Sequence, residues 1–458
     1  QQEQPRERDY FFVYSFFGFC LWIGMGAFAV IKFLEEKLSG SSARIASYAA
    51  LAAVFLLVPM NMLRTNIQPS SRSGHYVAWD YAYNLLQSTE KDAILITNGD
   101  NDTFPLWYLQ DVEGIRRDVR VICLSLANTD WYIKQLKNTE PYGAKKVPIS
   151  MTDEQITGIQ PIQYEPQEFA LPVTRAAKEQ WDASNTDPRG QDIVDTLKFT
   201  MPATLHFGNI DAIRVQDILV FDIVRTAGWQ RPIYFAATGS EESQIGLQNH
   251  MEMRGLAMKL VPRTNRSYLE SMNPDILKSQ LMTDVQQPSK TPQFGFRWRG
   301  LNDPKVHFDE NQRRLTLNYR QVFLTYAAYQ TNVKHDSAAT LAVLRRMEAV
   351  IPRTVLPLDY RGRSEIGQMY EINGDTPTAR QYASEIIAEL QPAMTGPLTE
   401  RLDQSHPLIV LSNAYETCGE YDKAIAAIQR LGELYSTTRG IPQYVNQRVA
   451  ELTARKSR

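Results

Sequence analysis

The chain opens with two long apolar runs and continues with shorter apolar segments separated by polar turns. Residues 10–31 run 22 positions without a charge, and residues 45–63 run 19. At about 1.5 Å per residue these reach roughly 33 Å and 28 Å, enough to cross a hydrocarbon core. A signal peptide has a shorter apolar stretch and a small-residue cleavage site. The alternative, a buried globular hairpin, is disfavoured by two adjacent charge-free runs of this length. Pro59 and Asn61 mark the expected end of the second helix, and the polar residues 66–73 the expected exit from the bilayer. The loop 32–44 carries Lys32, Lys37 and Arg44, against Arg6 and Arg8 before the first run and Arg64 and Arg72 after the second. By a margin of one charge, the loop is expected to be cytoplasmic and the remainder to lie outside.

Beyond the membrane segments the periodicity alternates. Residues 74–88 read as an amphipathic helix with Val77, Tyr81 and Leu85 on one face. Residues 93–97 form a short apolar strand, 103–113 a helix, 119–126 a second strand, and a third helix starts near Asp130. This rhythm predicts a parallel βαβ unit with a right-handed crossover. Residues 142–187, with Pro148, Pro161, Pro166 and Pro172, read as irregular chain wrapping the core. Residues 215–227 predict a helix with Val215, Leu219 and Ile223 inward. A turn follows at 228–232, a strand at 233–237 and one more strand at 257–262.

From residue 311 helical spacing dominates. Tyr370 to Asp375 (YEINGD) precedes a helix with Ala379 and Ala383, and 45 residues later Tyr415 to Glu420 (YETCGE) precedes one with Ala424. This weak repeat predicts tetratricopeptide-like helical hairpins of longer than usual period, a type of array that binds partners or braces neighbours. An unrelated helical bundle is the alternative. The expected fold class is therefore membrane-anchored α/β plus α. A two-helix transmembrane hairpin spans 1–65, a three-layer α/β domain 66–265, a linker 266–310, and a tetratricopeptide-like domain 311–458.

Charge and composition exclude several functions. Lys+Arg number 49 and Asp+Glu 51, for a net charge of −2, so nothing favours nucleic acid as a partner. The three cysteines, Cys20, Cys123 and Cys418, are widely separated, and the six histidines are scattered. No zinc spacing or disulfide framework follows. Glycine-rich nucleotide loops and the nucleophile elbow of serine hydrolases are missing from the sequence.

Candidate chemistry clusters at two strand-to-helix loops. Asp100, Asn101 and Asp102 follow the strand at 93–97, the end at which open α/β sheets bind ligands. They could hold a divalent cation or sugar hydroxyls. Capping is the competing reading, with Asp102 or Thr103 as N-cap, Pro105 in the first turn and Gly99 allowing the bend. The loop after the next strand carries Asn128, Asp130 and Trp131. If the strands are parallel neighbours, Asp100, Asp102, Asn128 and Asp130 would converge, flanked by Trp107, Trp131 and Tyr132. Carboxylates beside aromatic faces suit carbohydrate; they equally suit a well-capped domain.

Four runs carry a family resemblance: RERDYFF at 6–12, TNGDNDTFPLWYLQ at 97–110, LANTDWYIKQLK at 126–137 and RPIYFA at 231–236. With them the chain resembles the protein O-mannosyltransferase-like membrane family of a Gram-negative bacterial phylum, in the GT-C glycosyltransferase superfamily. The resemblance covers most of residues 6–265. It implies a transferase that uses a lipid-linked sugar donor at the outer face of the inner membrane, with a soluble part in the periplasm. In that family the catalytic acid lies in the first outer loop of an N-terminal bundle of many helices. This chain carries two spans and no such loop, so no catalytic residue transfers to it. The expectation is the C-terminal membrane hairpin and periplasmic portion of such an enzyme, or a separate subunit. The rival is a non-enzymatic scaffold that binds a periplasmic protein through its helical repeats.

Overall fold

A computed structural model describes residues 9–184, 193–208, 210–396, 398 and 402–457. The first residues of the RERDYFF motif lie outside this range, as do 185–187 of the segment expected to wrap the core. The fold is mixed α/β and divides into two units. One holds the described residues up to His75 together with Asp303–Arg314; the other holds Tyr76–Asn302 and Leu315–Arg458.

In the first unit, α1 (Val13–Lys37) packs against α2 (Gly40–Phe55). A wide π turn at Leu56–Met60 then leads directly into α3 (Asn61–Ser70). Val13–Lys37 and the continuous Gly40–Ser70 are both long and apolar enough to cross a membrane, and neither buries its apolar window inside the fold. Trp22 is 67% exposed and Leu57 73%, a pattern that water alone disfavours. Two expectations are corrected. The segment 32–37 is helix rather than loop, leaving Leu38 and Ser39 as the turn. The second helix does not stop at Pro59 or Asn61, and residues 66–70 are its last turns rather than an irregular exit. Pro59 lacks an N–H and its ring crowds the carbonyl four residues back; the wider turn absorbs both defects without ending the helix.

The second unit begins with α4 (Val77–Gln87), followed by β1 (Ile94–Thr97), α5 (Asp100–Asp111), β2 (Arg120–Cys123) and α6 (Asp130–Asn138). The one-turn α7 (Asp153–Ile156) leads to β3 (Ile162–Gln163), β4 (Gln167–Pro172) and α8 (Arg175–Ser184). Then come β5 (Thr196–Met201), β6 (Leu205–Phe207), β7 (Ile210–Ile213), α9 (Val215–Ala227) and β8 (Ile233–Ala236). The last strands are β9 (Met251–Met253) and β10 (Ala257–Leu260).

The main sheet has the order β2-β1-β8-β10-β9. β1 is parallel to β2 and to β8, with Ile94 opposite both Arg120 and Ile233, whereas β10 is antiparallel to its neighbours. Alternation sends Ile94, Ile96, Ile122, Ile233 and Phe235 to one face, where they meet Ile133 and Leu136 of α6 and Leu219 and Ile223 of α9. The α9 residues expected to point inward do so. Residues 142–184 are less irregular than expected. β3 joins β7 and β6 in a small sheet, β4 pairs with β5, and Leu171 and Phe199 extend the same core.

Two further readings change. α4 is not amphipathic in place: Asp80, Tyr83, Asn84, Leu86 and Gln87 are buried along with the expected face. The segment 266–310 is not a free linker either. It contains α10 (Pro274–Leu281), and it supplies the partners that let α4 bury its polar side. The Asn84 amide donates to the Arg297 carbonyl at 2.9 Å and accepts from the Arg297 N–H at 2.8 Å. Gln87 donates to the Ser289 carbonyl at 3.1 Å, and Asp80 accepts from the Arg299 N–H at 2.8 Å. Buried polar groups require such partners. A helix chosen for polar contacts therefore shows no clean stripe in sequence.

The remaining helices are α11 (Glu310–Tyr329), whose residues from Leu315 belong to this unit, α12 (Ser337–Val350), α13 (Tyr360–Ile372), α14 (Thr376–Leu390), α15 (Pro407–Thr417), α16 (Tyr421–Leu434) and α17 (Ile441–Lys456). From α13 onward each packs against the next. Gly374 and Gly419 follow α13 and α15 with φ of +88° and +79°, the left-handed geometry that ends a helix. Ala379, Ala383 and Ala424 of the following helices are buried.

Candidate functional site

β1 connects through α5 to β2 on one side, while β8 pairs on the other. β1 and β8 therefore flank the point where the strand order reverses, and their carboxyl ends border the crevice where open α/β sheets bind ligands. The loops that follow β1, β2 and β8 all issue from this edge. Those after β1 and β2 lie side by side: the Leu124 N–H donates to the Thr97 carbonyl at 2.9 Å, and the Ser125 N–H to the Asn98 carbonyl at 3.2 Å.

The α5 entrance is built by its own sequence. Gly99, extended, is the N-cap, rather than Asp102 or Thr103. Asp102 stands three residues on, and its carboxylate accepts from the N–H groups of Asn98 and Gly99, both at 2.9 Å. A carboxylate in that position satisfies two otherwise orphaned donors and meets the positive end of the helix. It also accepts from the Thr238 hydroxyl in the loop after β8, joining the two strand ends. Thr97 and Thr103 share a hydrogen bond of 2.6 Å beneath it. Asp102 is thus a framework residue. Asp100 and Asn101, in the first turn of α5, are exposed at the crevice edge.

The loop after β2 is divided in the same way. The Asn128 amide donates to Gln216 Oε1 at 2.9 Å and to the Leu124 carbonyl at 3.2 Å, and it accepts from the Gln216 N–H at 3.1 Å. This clasp ties the loop to the start of α9. Asp130 accepts from the Trp131 N–H at 2.8 Å and lies 4.0 Å from Lys134. The expected convergence of four polar side chains is therefore only partial: Asp102 and Asn128 hydrogen-bond within the framework, Asp100 and Asn101 are exposed, and Asp130 is half-buried. The aromatic residues do not ring these loops. Trp107, Trp131 and Tyr132 line a separate cavity beside β2. Tyr132 accepts from the Cys123 N–H at 3.0 Å, and burial pushes its hydroxyl up to about 12. Among the described residues no three His, Cys, Asp or Glu side chains gather as a possible metal centre.

Sequence reading missed Thr238 and Gln216. Thr238 directly follows the strand predicted at 233–237, a signal that could have found it. Gln216 carries no local signal. Asn128→Ala is expected to destabilise the second unit by about 1–3 kcal/mol, because it strands the buried Gln216. Urea unfolding measures this directly.

No curated protein and no solved structure matches the chain. Residues 78–163 and 162–276, from α4 through the start of α10, are similar to the family model described as TMEM260-associated domain 2.

Proposed function

We propose that the chain is the terminal membrane hairpin and soluble portion of a GT-C-type glycosyltransferase. In this reading α1 and the α2–α3 helix cross a bacterial inner membrane and the residues from α4 onward are periplasmic. The β1–α5–β2 unit then holds a sugar or acceptor at the carboxyl ends of its strands. The observation that carries this reading is the TNGDNDTFPLWYLQ run, which folds as the end of β1 and the whole entrance of α5 at the strand-order reversal. Its Asp100 and Asn101 are exposed at the crevice edge and suit hydroxyl recognition. The catalytic step belongs to a multi-helix bundle, and the lipid-linked donor to the membrane.

The test is the double variant Asp100→Ala/Asn101→Ala, made in cells. Both side chains are exposed, so protein levels should hold, and glycan transfer should fall about tenfold or more from the lost contacts. Unchanged transfer at normal protein level sinks the site assignment.

A second reading is a non-enzymatic scaffold that uses tetratricopeptide-like hairpins. The repeated pattern of α13, Gly374, α14 and α15, Gly419, α16 favours it. A stoichiometric protein partner on native purification, with no glycan defect on deletion, would select this reading.

A further inference from the structure

Among the described residues β2 is an edge strand, paired only with β1. A cavity of about 280 Å³ runs beside it, between Trp107 and Asp111 of α5 and Trp131 and Gln135 of α6, with Arg120 and Val121 of β2 in its wall. In the parallel register the Arg120 and Leu124 N–H groups turn inward to the Ala93 and Thr97 carbonyls. The N–H and C=O of Val121 therefore face the open edge. On either side the edge is already closed: Gln110 donates to the Val119 carbonyl at 2.8 Å, and Tyr132 accepts from the Cys123 N–H at 3.0 Å. One free peptide unit is too short a template for an added strand. The opening fits a small ligand.

Arg120 sets the charge of that ligand. Its side chain is among the buried ones, at 7% exposure, and its Nε has no hydrogen-bond partner among the described residues. One Nη donates weakly to the Gln135 carbonyl and the Thr139 hydroxyl, both at 3.3 Å. That end of α6 offsets part of the charge. Among the described residues no carboxylate lies within ion-pair distance of it, and burial weighs against its charged form. In the same unit Arg116 is paired with Asp118, Arg254 with Glu252, and Lys259 with Glu90, while Arg320 donates instead to the carbonyls of Ile351 and Leu356. A buried guanidinium without a counter-ion is costly, and an arriving oxyanion removes that cost. Indole faces beside it suit the C–H face of a sugar ring, and Asp111 and Gln135 at the rim suit its hydroxyls.

We propose that this cavity binds an acidic sugar, a hexose bearing a carboxylate or a phosphate, with the oxyanion on Arg120 and the ring against Trp131. The site is separate from the strand-end crevice and does not rest on the glycosyltransferase reading.

The experiment is calorimetric titration of the full chain in detergent with three probes: glucuronate, glucose 1-phosphate and glucose. At least one acid should bind about tenfold or more tighter than glucose, and whichever does identifies the carboxylate or the phosphate as the source. Arg120→Gln should erase that preference, and the exposed Trp131→Ala should weaken the binding of every probe. Equal binding of acid and neutral sugar, no binding at millimolar concentration, or a preference that survives Arg120→Gln overturns the proposal. If Arg120→Gln does not fold, the preference of the unaltered chain and its weakening in Trp131→Ala decide the matter.

Discussion

Arg116→Met is expected to lower the unfolding free energy of the second unit by about 3–5 kcal/mol, since it removes one partner of a buried charge network. Arg116 is fully buried. Its guanidinium donates to the carbonyls of Leu86 at 2.7 Å, Thr89 at 3.1 Å and Glu90 at 2.8 Å, which close the end of α4. Two further bonds of 2.9 Å go to the Asp118 carboxylate. Methionine fills similar volume but leaves these acceptors without a donor. The network also predicts a pH dependence. Burial works against the Asp118 carboxylate, but Arg116 outweighs it and holds that carboxyl below the usual range. A carboxyl depressed in the folded state stabilises above the ordinary carboxylate pKa of about 4, and that contribution is lost as pH falls through the folded value. Urea unfolding from pH 6 downward should therefore show acid weakening in the unaltered protein and a smaller slope in Arg116→Met. A loss under 1 kcal/mol, or an unchanged slope, contradicts this account.

Asp80→Ala is expected to cost about 3 kcal/mol and to do so locally first. Asp80, buried in α4, accepts from the Arg299 N–H at 2.8 Å and from Arg299 Nη2 at 2.6 Å, and it lies 3.7 Å from Arg297 Nε. Arg299 in turn lies over Tyr76 and Trp79, 4.1 Å and 4.7 Å from the ring centres. Without the carboxylate, two cations share this corner with no counter-charge. Amide exchange at Arg297 and Arg299 should accelerate before global unfolding does. If exchange there keeps pace with the rest of the unit, the segment 266–302 is not held through Asp80.

How much of this was legible depended on where each element finds its partners. The helix at 215–227 was readable because its inward residues stand four apart and its neighbours are apolar. The strands at 94–97 and 233–236 were readable because both faces are covered, leaving short continuous apolar runs between turns. α4 was misread because Asp80, Asn84 and Gln87 bury themselves against chain more than 200 residues away, which no local period encodes. Pro59 was misread as a terminator because the rule for proline concerns the α-helical bond, and a wider turn escapes it. Asp100, Asn101, Asp102, Asn128 and Asp130 were correctly placed at strand ends. Their division of labour was hidden, because Thr238 and Gln216 reach them from other elements. Arg120 carries no signal in sequence; that no carboxylate among the described residues lies within ion-pair distance of it shows only in three dimensions.

The lacework between α4 and its distant partners fixes an order of events during synthesis. Asn84 waits 213 residues for Arg297 and 235 for Tyr319, and Asp80 waits 219 for Arg299. At about 5–20 residues per second that is roughly 10–45 s of elongation. During that interval α4, the first element of the second unit to emerge, lacks the partners that bury its polar side. The second unit can therefore close only after its chain has been made as far as α11, and until then the polar side of α4 keeps its hydration in water.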